Sequence, residues 1–243
     1  MKNTAIIIPS RLAARRFPNK PLVKINNVPM IIHVLNKAIE ARVGEVFVAT
    51  PDVEIFNIVN NNGGNGILTK HDHASGSDRI YEVSSKRLKR NTDLIINLQG
   101  DMPNIKPHNI SKLVKLMKNN NCDIGTLASN IKDKSEIIDP NIVKVLTDQT
   151  LKENNFIIAK DFFRTKKDLK SEKIYHHIGI YAFTIVALTK YVKLSRSKFE
   201  IRRHLEQMRA MENNLVIKVG LSNSTPLGVD TEEDLKKAIM EMS

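Results

Sequence analysis

An α/β fold, doubly wound around a mostly parallel sheet and carrying a smaller lobe, is what this sequence predicts. Three observations lead there. Strand-like and helix-like segments alternate, giving four β-α units in about the first 120 residues. The strand-like runs are nearly continuous in apolar residues, as parallel strands covered on both faces require. The second half then changes character, with strand-like runs that follow one another across polar connections. We expect residues 1–243 to form one domain with its small lobe near 150–185.

The first strand is the apolar run 5–8, ended by Pro9. Leu22 to Ile25 and Val28 flank Asn26-Asn27, a tight-turn sequence. Pro29 suits a first helical turn, and Ile31, Leu35 and Ala38 share one face of a helix reaching about Ala41. Residues 45–50 form the second strand. Asp52 is placed to cap a helix over 53–61, and Gly63-Gly64 stops it. Residues 66–69 are a short third strand. A polar stretch, 70–78, leads into a helix that ends in the basic run 86–90, a solvated helix end. Residues 93–98 are the fourth strand, and a helix covers 109–118. Beyond it, 142–146 and 155–158 read as strands, 160–173 as an exposed basic loop or arm, and 177–183 as another strand. A helix over 199–211, a last strand over 215–219 and a closing helix over 231–240 complete the chain.

With 243 residues and 41% apolar content, the chain is long enough for a substantial core. Its net charge of +12 suggests an anionic partner: a nucleotide, a polynucleotide, an acidic sugar or a membrane surface. The single Cys122 excludes an intrachain disulfide and a cysteine metal cluster, and fits a reducing compartment. The sequence begins directly with a strand and holds no apolar run of about 18 residues, so a cytoplasmic protein with no membrane association is expected. There is no Trp and little aromatic content, so stacking platforms for single-stranded nucleic acid are not evident and no nucleic-acid partner is expected.

The chemistry-bearing residues cluster after the expected strands. Between Ser10 and Lys24 stand Arg11, Arg15, Arg16 and Lys20, with no acid. A basic loop at the carboxyl end of a buried strand is a place to hold a triphosphate; the alternative is a solvated basic loop. It is not a Walker A loop, because no Gly precedes Gly44. Cations, not Gly-rich backbone, would carry the phosphates. Gln99-Gly100-Asp101 follows the fourth strand, and a carboxylate beside a phosphate site is what Mg2+ needs; Asp101 also reads as a turn or cap residue. Thr231 and the acids after it read as a helix start, which leaves Asp230 over as a second candidate metal ligand. His71, Asp72 and His73 lack a third ligand at metal spacing. Of His176 and His177, one reads as a strand histidine beside an exposed neighbour.

Six segments, in order, resemble the 3-deoxy-D-manno-octulosonate cytidylyltransferases (CMP-Kdo synthetases). They are Pro9-Ser10-Arg11 with Arg16, Pro18, Lys20, Pro21 and Leu22; Asp72-His73-Ala74-Ser75-Gly76-Ser77-Asp78-Arg79; Leu98-Gln99-Gly100-Asp101-Met102-Pro103; His177 to Tyr181; Leu205-Glu206-Gln207-Met208-Arg209; and Gly228 to Leu235. The resemblance implies a nucleotidyltransferase-like Rossmann variant that joins CTP and Kdo into CMP-Kdo and diphosphate for lipopolysaccharide synthesis. It implies that Arg11, Arg16 and Lys20 neutralise the triphosphate, with Asp101 and Asp230 holding Mg2+. Pro9, Ser10, Lys70, Ser75 and Gly76 then belong to the nucleotide-binding set. Gln99, Lys160, His177, Tyr181, Glu206 and Gln207 belong to the sugar-acid pocket. A homodimer formed through the smaller lobe is implied as well.

Three positions depart from the family pattern. Met102 replaces an acid after Asp101, Lys160 stands for an Arg, and Lys70 replaces another Arg. Arg and Lys are not equivalent at a bidentate carboxylate site. The departures leave two rivals open: an enzyme for another acidic sugar, such as an 8-amino Kdo analogue or a sialic acid, and a non-catalytic homologue that binds nucleotide or RNA.

Overall fold

The computed structural model describes residues 3–13, 17–88, 91–165 and 173–243. Internal packing divides the chain into two units, residues 1–111 with 226–243, and residues 112–225.

In the first unit the chain runs through β1 (Asn3–Pro9), a hairpin of β2 (Lys24–Ile25) and β3 (Val28–Pro29), α1 (Met30–Glu40), β4 (Glu45–Thr50), α2 (Val53–Asn61), β5 (Gly66–Leu68), α3 (Gly76–Arg87) and β6 (Thr92–Asn97). The strands lie in the order β5-β4-β1-β6, all parallel. β1 is central, and its residues Ile6, Ile7 and Ile8 are fully buried, which is why the run shows no alternation. Asn26 and Asn27 take φ of 48° and 65°. Two successive left-handed residues make the tight hairpin turn that asparagine tolerates. Asp52 does sit before α2, but its side chain makes no cap bond. Its carboxylate instead accepts from Leu12 N–H at 2.8 Å, which ties the basic loop to the end of β4.

The second unit contains α4 (Pro107–Asn119, entering from the first), β7 (Ile124–Ser129), α5 (Ser135–Ile138), β8 (Lys144–Thr147), β9 (Phe156–Phe163), β10 (Lys173–Thr184), α6 (Ile185–Tyr191), α7 (Lys198–Arg203), α8 (Gln207–Glu212) and β11 (Ile217–Leu221). Its strands follow the order β10-β7-β11-β9-β8, and β8 pairs again with β10, so the five close on themselves. Only β7 and β11 pair in parallel; the other pairings are antiparallel. The expected mostly parallel sheet is therefore corrected. Strands joined by crossover helices are parallel, whereas β8, β9 and β10 follow one another without helices and pair antiparallel. The closing helix α9 (Glu232–Met242) returns to the first unit. There it packs with Ile25, Met30 and Val229, and with Phe17 from the end of the basic loop.

Other expectations shift. β7 was not legible: Gly125 interrupts its apolar run. A Cβ there would stand 2.5 Å from Met117 Sδ, so the helix packs directly on strand backbone. β9 runs on through Phe162 and Phe163, both buried, so the expected arm over 160–173 begins with strand; residues 166–172 lie outside the described residues. The single helix over 199–211 is two, broken at His204, which adopts φ 53°. Among the described residues, no helix is long and apolar enough to cross a membrane.

What fixes α7 against α8 is one buried ion pair. Arg209 donates to both carboxylate oxygens of Glu200, at 2.8 and 2.6 Å, and its guanidinium lies over the Tyr191 ring. Tyr191 O–H in turn donates to Glu206 O at 3.0 Å. Burial pushes the Glu200 carboxyl up, but the Arg209 hydrogen bonds outweigh it and hold its pKa below the ordinary value. Arg209→Met leaves that carboxylate only Arg196, at 3.1 Å, and Ser197 N–H, and is expected to destabilise the protein by roughly 1–3 kcal/mol. Urea unfolding checks this; a loss under about 1 kcal/mol contradicts it.

Candidate active site

At the carboxyl ends of β1 and β6, three charged side chains meet. Lys20 Nζ lies 2.9 Å from Asp101 Oδ2 and 2.9 Å from Asp230 Oδ1. Each arrives by a different local device. Lys20 opens a single 3-10 turn after Asn19, whose φ is 55°. Asp101 follows Gly100, where a Cβ would stand 3.2 Å from Pro9 O; glycine lets the two strand ends approach. Asp230 is set by Val229 N–H donating to Asp101 O at 2.9 Å. Thr231 and Asp234 form the capping box of α9, which accounts for the acidic helix start and leaves the Asp230 carboxylate directed at Lys20. Burial works against the ammonium, but the Asp101 and Asp230 carboxylates outweigh it and raise its pKa above the ordinary value.

Around this centre the basic loop is held in place. Ser10 N–H donates to Ala49 O at 2.9 Å. Among the described residues Ser10 Oγ is buried without a hydrogen-bond partner, and an orphaned hydroxyl costs free energy unless a ligand meets it. Arg11 is exposed, and Arg79 is only 3% exposed. Burial first, then the charge of Arg11, lower the pKa of Arg79. The Asp52 and Glu82 carboxylates work in the opposite direction. Arg79 is fixed by donating to Thr69 Oγ1 and to Lys70 O. Arg16 lies outside the described residues.

The segment between β5 and α3 is clamped by Glu82, which accepts from Lys70 N–H, the His73 ring and Lys86. Burial pushes its carboxyl up, yet these bonds win and set it at about 2. Lys70 itself is exposed. Ser75 caps α3: its Oγ accepts from Asp78 N–H at 3.3 Å and donates to the Asp78 carboxylate at 2.8 Å. Gly76 lies against Pro9, where a Cβ would stand 3.4 Å from Pro9 Cγ. Gln99 donates to Asn97 Oδ1 at 3.3 Å. Met102 is buried, 5% exposed. The first unit thus brings together Pro9, Ser10, Lys20, Gly76, Asp101 and Asp230.

The second unit forms a cluster of another kind. His177 and Tyr181 lie on β10 with ring centroids 5.4 Å apart, and the Phe162 edge meets His177 at 5.1 Å. Burial, then the neighbouring His176, push His177 down to about 3, so it is a neutral imidazole at neutral pH. Burial, then the charge of Glu206, push the Tyr181 phenol well up, so it keeps its proton. Gln207 is buried beside exposed Glu206. Lys160 is not seen with this group. It is half exposed and pairs with Asp148 at 3.4 Å.

Two carboxylates converging on one cation are hard oxygen donors, the set Mg2+ takes when phosphates supply further ligands. Among the described residues, no group of three or more His, Cys, Asp or Glu could hold a metal. Sequence reasoning gave no role to Asp52, Arg79 or Thr126. Arg79 stood inside one of the six family-like segments, whereas Asp52 read as a helix cap and Thr126 lay in the strand that was missed.

The cytidylyltransferase family profile matches residues 5–219. The chain is 42% identical to a 3-deoxy-manno-octulosonate cytidylyltransferase of Rhodopseudomonas palustris strain BisB5, over 97% of this chain and 96% of that one. It is 42% identical to the protein of the same name from Brucella anthropi, over 97% and 94%. It also superposes on a CMP:2-keto-3-deoxy-manno-octonic acid synthetase complexed with CTP. There the TM-score is 0.89 at 34% identity, covering 99% of this chain and 98% of that one. Likeness of this level, carried along almost the whole of each chain, makes the protein a member of the 3-deoxy-manno-octulosonate cytidylyltransferase (CMP-Kdo synthetase) family.

Proposed function

We infer that the protein joins CTP to Kdo, releasing diphosphate and giving the CMP-Kdo used in lipopolysaccharide synthesis. The observation that carries this reading is Lys20 held between Asp101 and Asp230 beside a basic loop, in a chain 42% identical to enzymes of that activity. The anomeric hydroxyl of Kdo attacks the α-phosphorus of CTP. A sugar–phosphate bond forms as the bond from the α-phosphorus to the bridging oxygen breaks. The hydroxyl proton is released, and diphosphate leaves with the electron pair.

Catalysis of this kind is positioning plus charge placed where charge develops. Arg11, Arg16 and Lys20 offset the triphosphate and the departing diphosphate, and Ser10 Oγ donates to a phosphate oxygen. Asp101 and Asp230 would hold Mg2+, which would supply Lewis acidity and positive charge for the phosphoryl transfer, and Lys20 exchanges their carboxylates for phosphate oxygens as nucleotide arrives. Pro9, Lys70, Ser75 and Gly76 border the nucleotide. His177, Tyr181, Glu206 and Gln207 take the sugar acid, and Lys160 has to leave Asp148 to meet its carboxylate. The protein works in the cytoplasm, as a homodimer assembled through the lobe near 150–185.

The Lys160–Asp148 pairing favours one second reading, a different acidic sugar as acceptor. Diphosphate release with CTP, Mg2+ and a panel of sugar acids decides, with UTP and acceptor-free controls. Release with CTP and Kdo alone is expected; release only with an 8-amino Kdo analogue or a sialic acid moves the acceptor. Silence with every acceptor, from folded protein, removes the enzymatic reading.

Asp101→Asn keeps the backbone bond to Val229 and is expected to melt near the wild-type temperature while turnover falls roughly 10²- to 10³-fold. Near-normal turnover excludes metal ligation there. Lys20→Ala is expected to raise KM for CTP by about tenfold or more with KM for Kdo little changed, and steady-state kinetics against each substrate reads the split.

A further inference from the structure

β10 carries an irregularity that the reaction does not by itself explain. Its register against β7 slips between Ile178, which faces Leu127, and Tyr181, which faces Thr126. Two residues, Gly179 and Ile180, are taken up in the slip, and such a bulge leaves strand carbonyls without ladder partners. Thr126 answers it. Its side chain is fully buried, and Oγ1 lies 2.8 Å from Ile180 O, 3.1 Å from Ile178 O and 3.0 Å from His177 Nε2.

A threonine hydroxyl has one proton to give. Both carbonyls only accept, so that proton is committed to the bulge, and the lone pair of Oγ1 faces the imidazole. The bond to His177 forms only if Nε2 carries the hydrogen. A neutral imidazole with Nε2–H presents a bare lone pair at Nδ1. Among the described residues the hydrogen bond of the His177 ring is the one at Nε2. His177 keeps 7% of its surface exposed, and its ring is held by Phe162 and Tyr181.

We propose that Thr126 is a positioning residue that fixes His177 in its Nε2–H tautomer, so that Nδ1 accepts a hydrogen bond from a hydroxyl of the sugar acid. The inference rests on the reading of His177 as part of the acceptor pocket. His177 then selects a hydroxyl-bearing carbon of the substrate and takes no part in binding its carboxylate. The neighbour His176 is committed elsewhere, with Nδ1 2.6 Å from Glu136 Oε2.

The test uses full-length protein labelled with 15N at its seven histidines, the His177 resonances being assigned from their loss in His177→Ala. Wild type is expected to show a protonated Nε2 and an unprotonated Nδ1. Thr126→Val, close in shape but without the hydroxyl, is expected to lose that preference and to raise KM for Kdo about tenfold, with KM for CTP unchanged. Thr126→Ser restores both. A wild-type proton on Nδ1, or a valine variant with unchanged tautomer and KM, overturns the proposal. The wild-type spectrum alone decides the tautomer, even if the valine variant misfolds. If His177→Ala leaves KM for Kdo unchanged, the pocket reading itself fails, and with it the acceptor role of Nδ1.

Discussion

The functional end of the first unit hangs on one shared ion. Lys20 comes from the loop after β1, Asp101 from the turn after β6, and Asp230 from the approach to α9. Their sequence separations are so large that no local preference could bring them together. Two ionised carboxylates drawn to one point repel unless a cation lies between them or one takes a proton, and Lys20 is that cation, 2.9 Å from each. The side chains of the two acids remain 29% and 41% exposed, so pairs of this kind contribute about 0–1 kcal/mol each. What the arrangement supplies is placement. It keeps two hard oxygen donors aimed at one spot, with an ammonium between them.

That placement depends in turn on apolar packing that has no chemistry of its own. Phe17 and Val23, on either side of Lys20, pack with Ile25, Met30, Val229 and Ala238. The loop is therefore anchored at one end by the small core beneath α9, and at the other by Asp52 holding Leu12 N–H. Gly100 is the matching constraint on β6, since any side chain would press on Pro9 O. A basic loop read only as a run of charge would lack both anchors, and its cations would be free to spread apart.

Much of this was legible in the sequence, for reasons that differ along the chain. The parallel strands announced themselves because burial on both faces leaves uninterrupted runs such as 5–8. Asn26-Asn27 announced its turn because few other residues accept left-handed backbone. Asp230 emerged once the helix-cap chemistry of Thr231 had accounted for its neighbours. The failures share a cause in tertiary packing. β7 hides because close contact with Met117 demands Gly125, which reads as a break. The single helix expected over 199–211 ignores His204, whose left-handed backbone ends α7 with its N–H donating to Glu200 O, while the Glu200–Arg209 pair spans the break. The sense of strand pairing in the second unit is set by connections that carry no residue signature, so a mostly parallel sheet was the wrong extension of the first half.

The two clusters divide the chemistry by charge. The first unit gathers permanent cations and carboxylates, which suit a ligand whose phosphates vary little and whose binding is dominated by Coulomb attraction. The second gathers groups that burial keeps neutral, His177 and Tyr181. A neutral, buried pocket attracts weakly but discriminates strongly. Each donor or acceptor left unmatched by a wrong sugar loses its hydrogen bond without water to replace it. Such a pocket needs each donor and acceptor fixed in direction, because a ring that can present either N–H or lone pair accepts either kind of partner. Thr126 removes that freedom from His177 by having its only proton already committed to the β10 bulge. The irregular strand and the direction of the His177 ring are in this way one feature: the bulge supplies the carbonyls that orient the hydroxyl, and the hydroxyl orients the histidine.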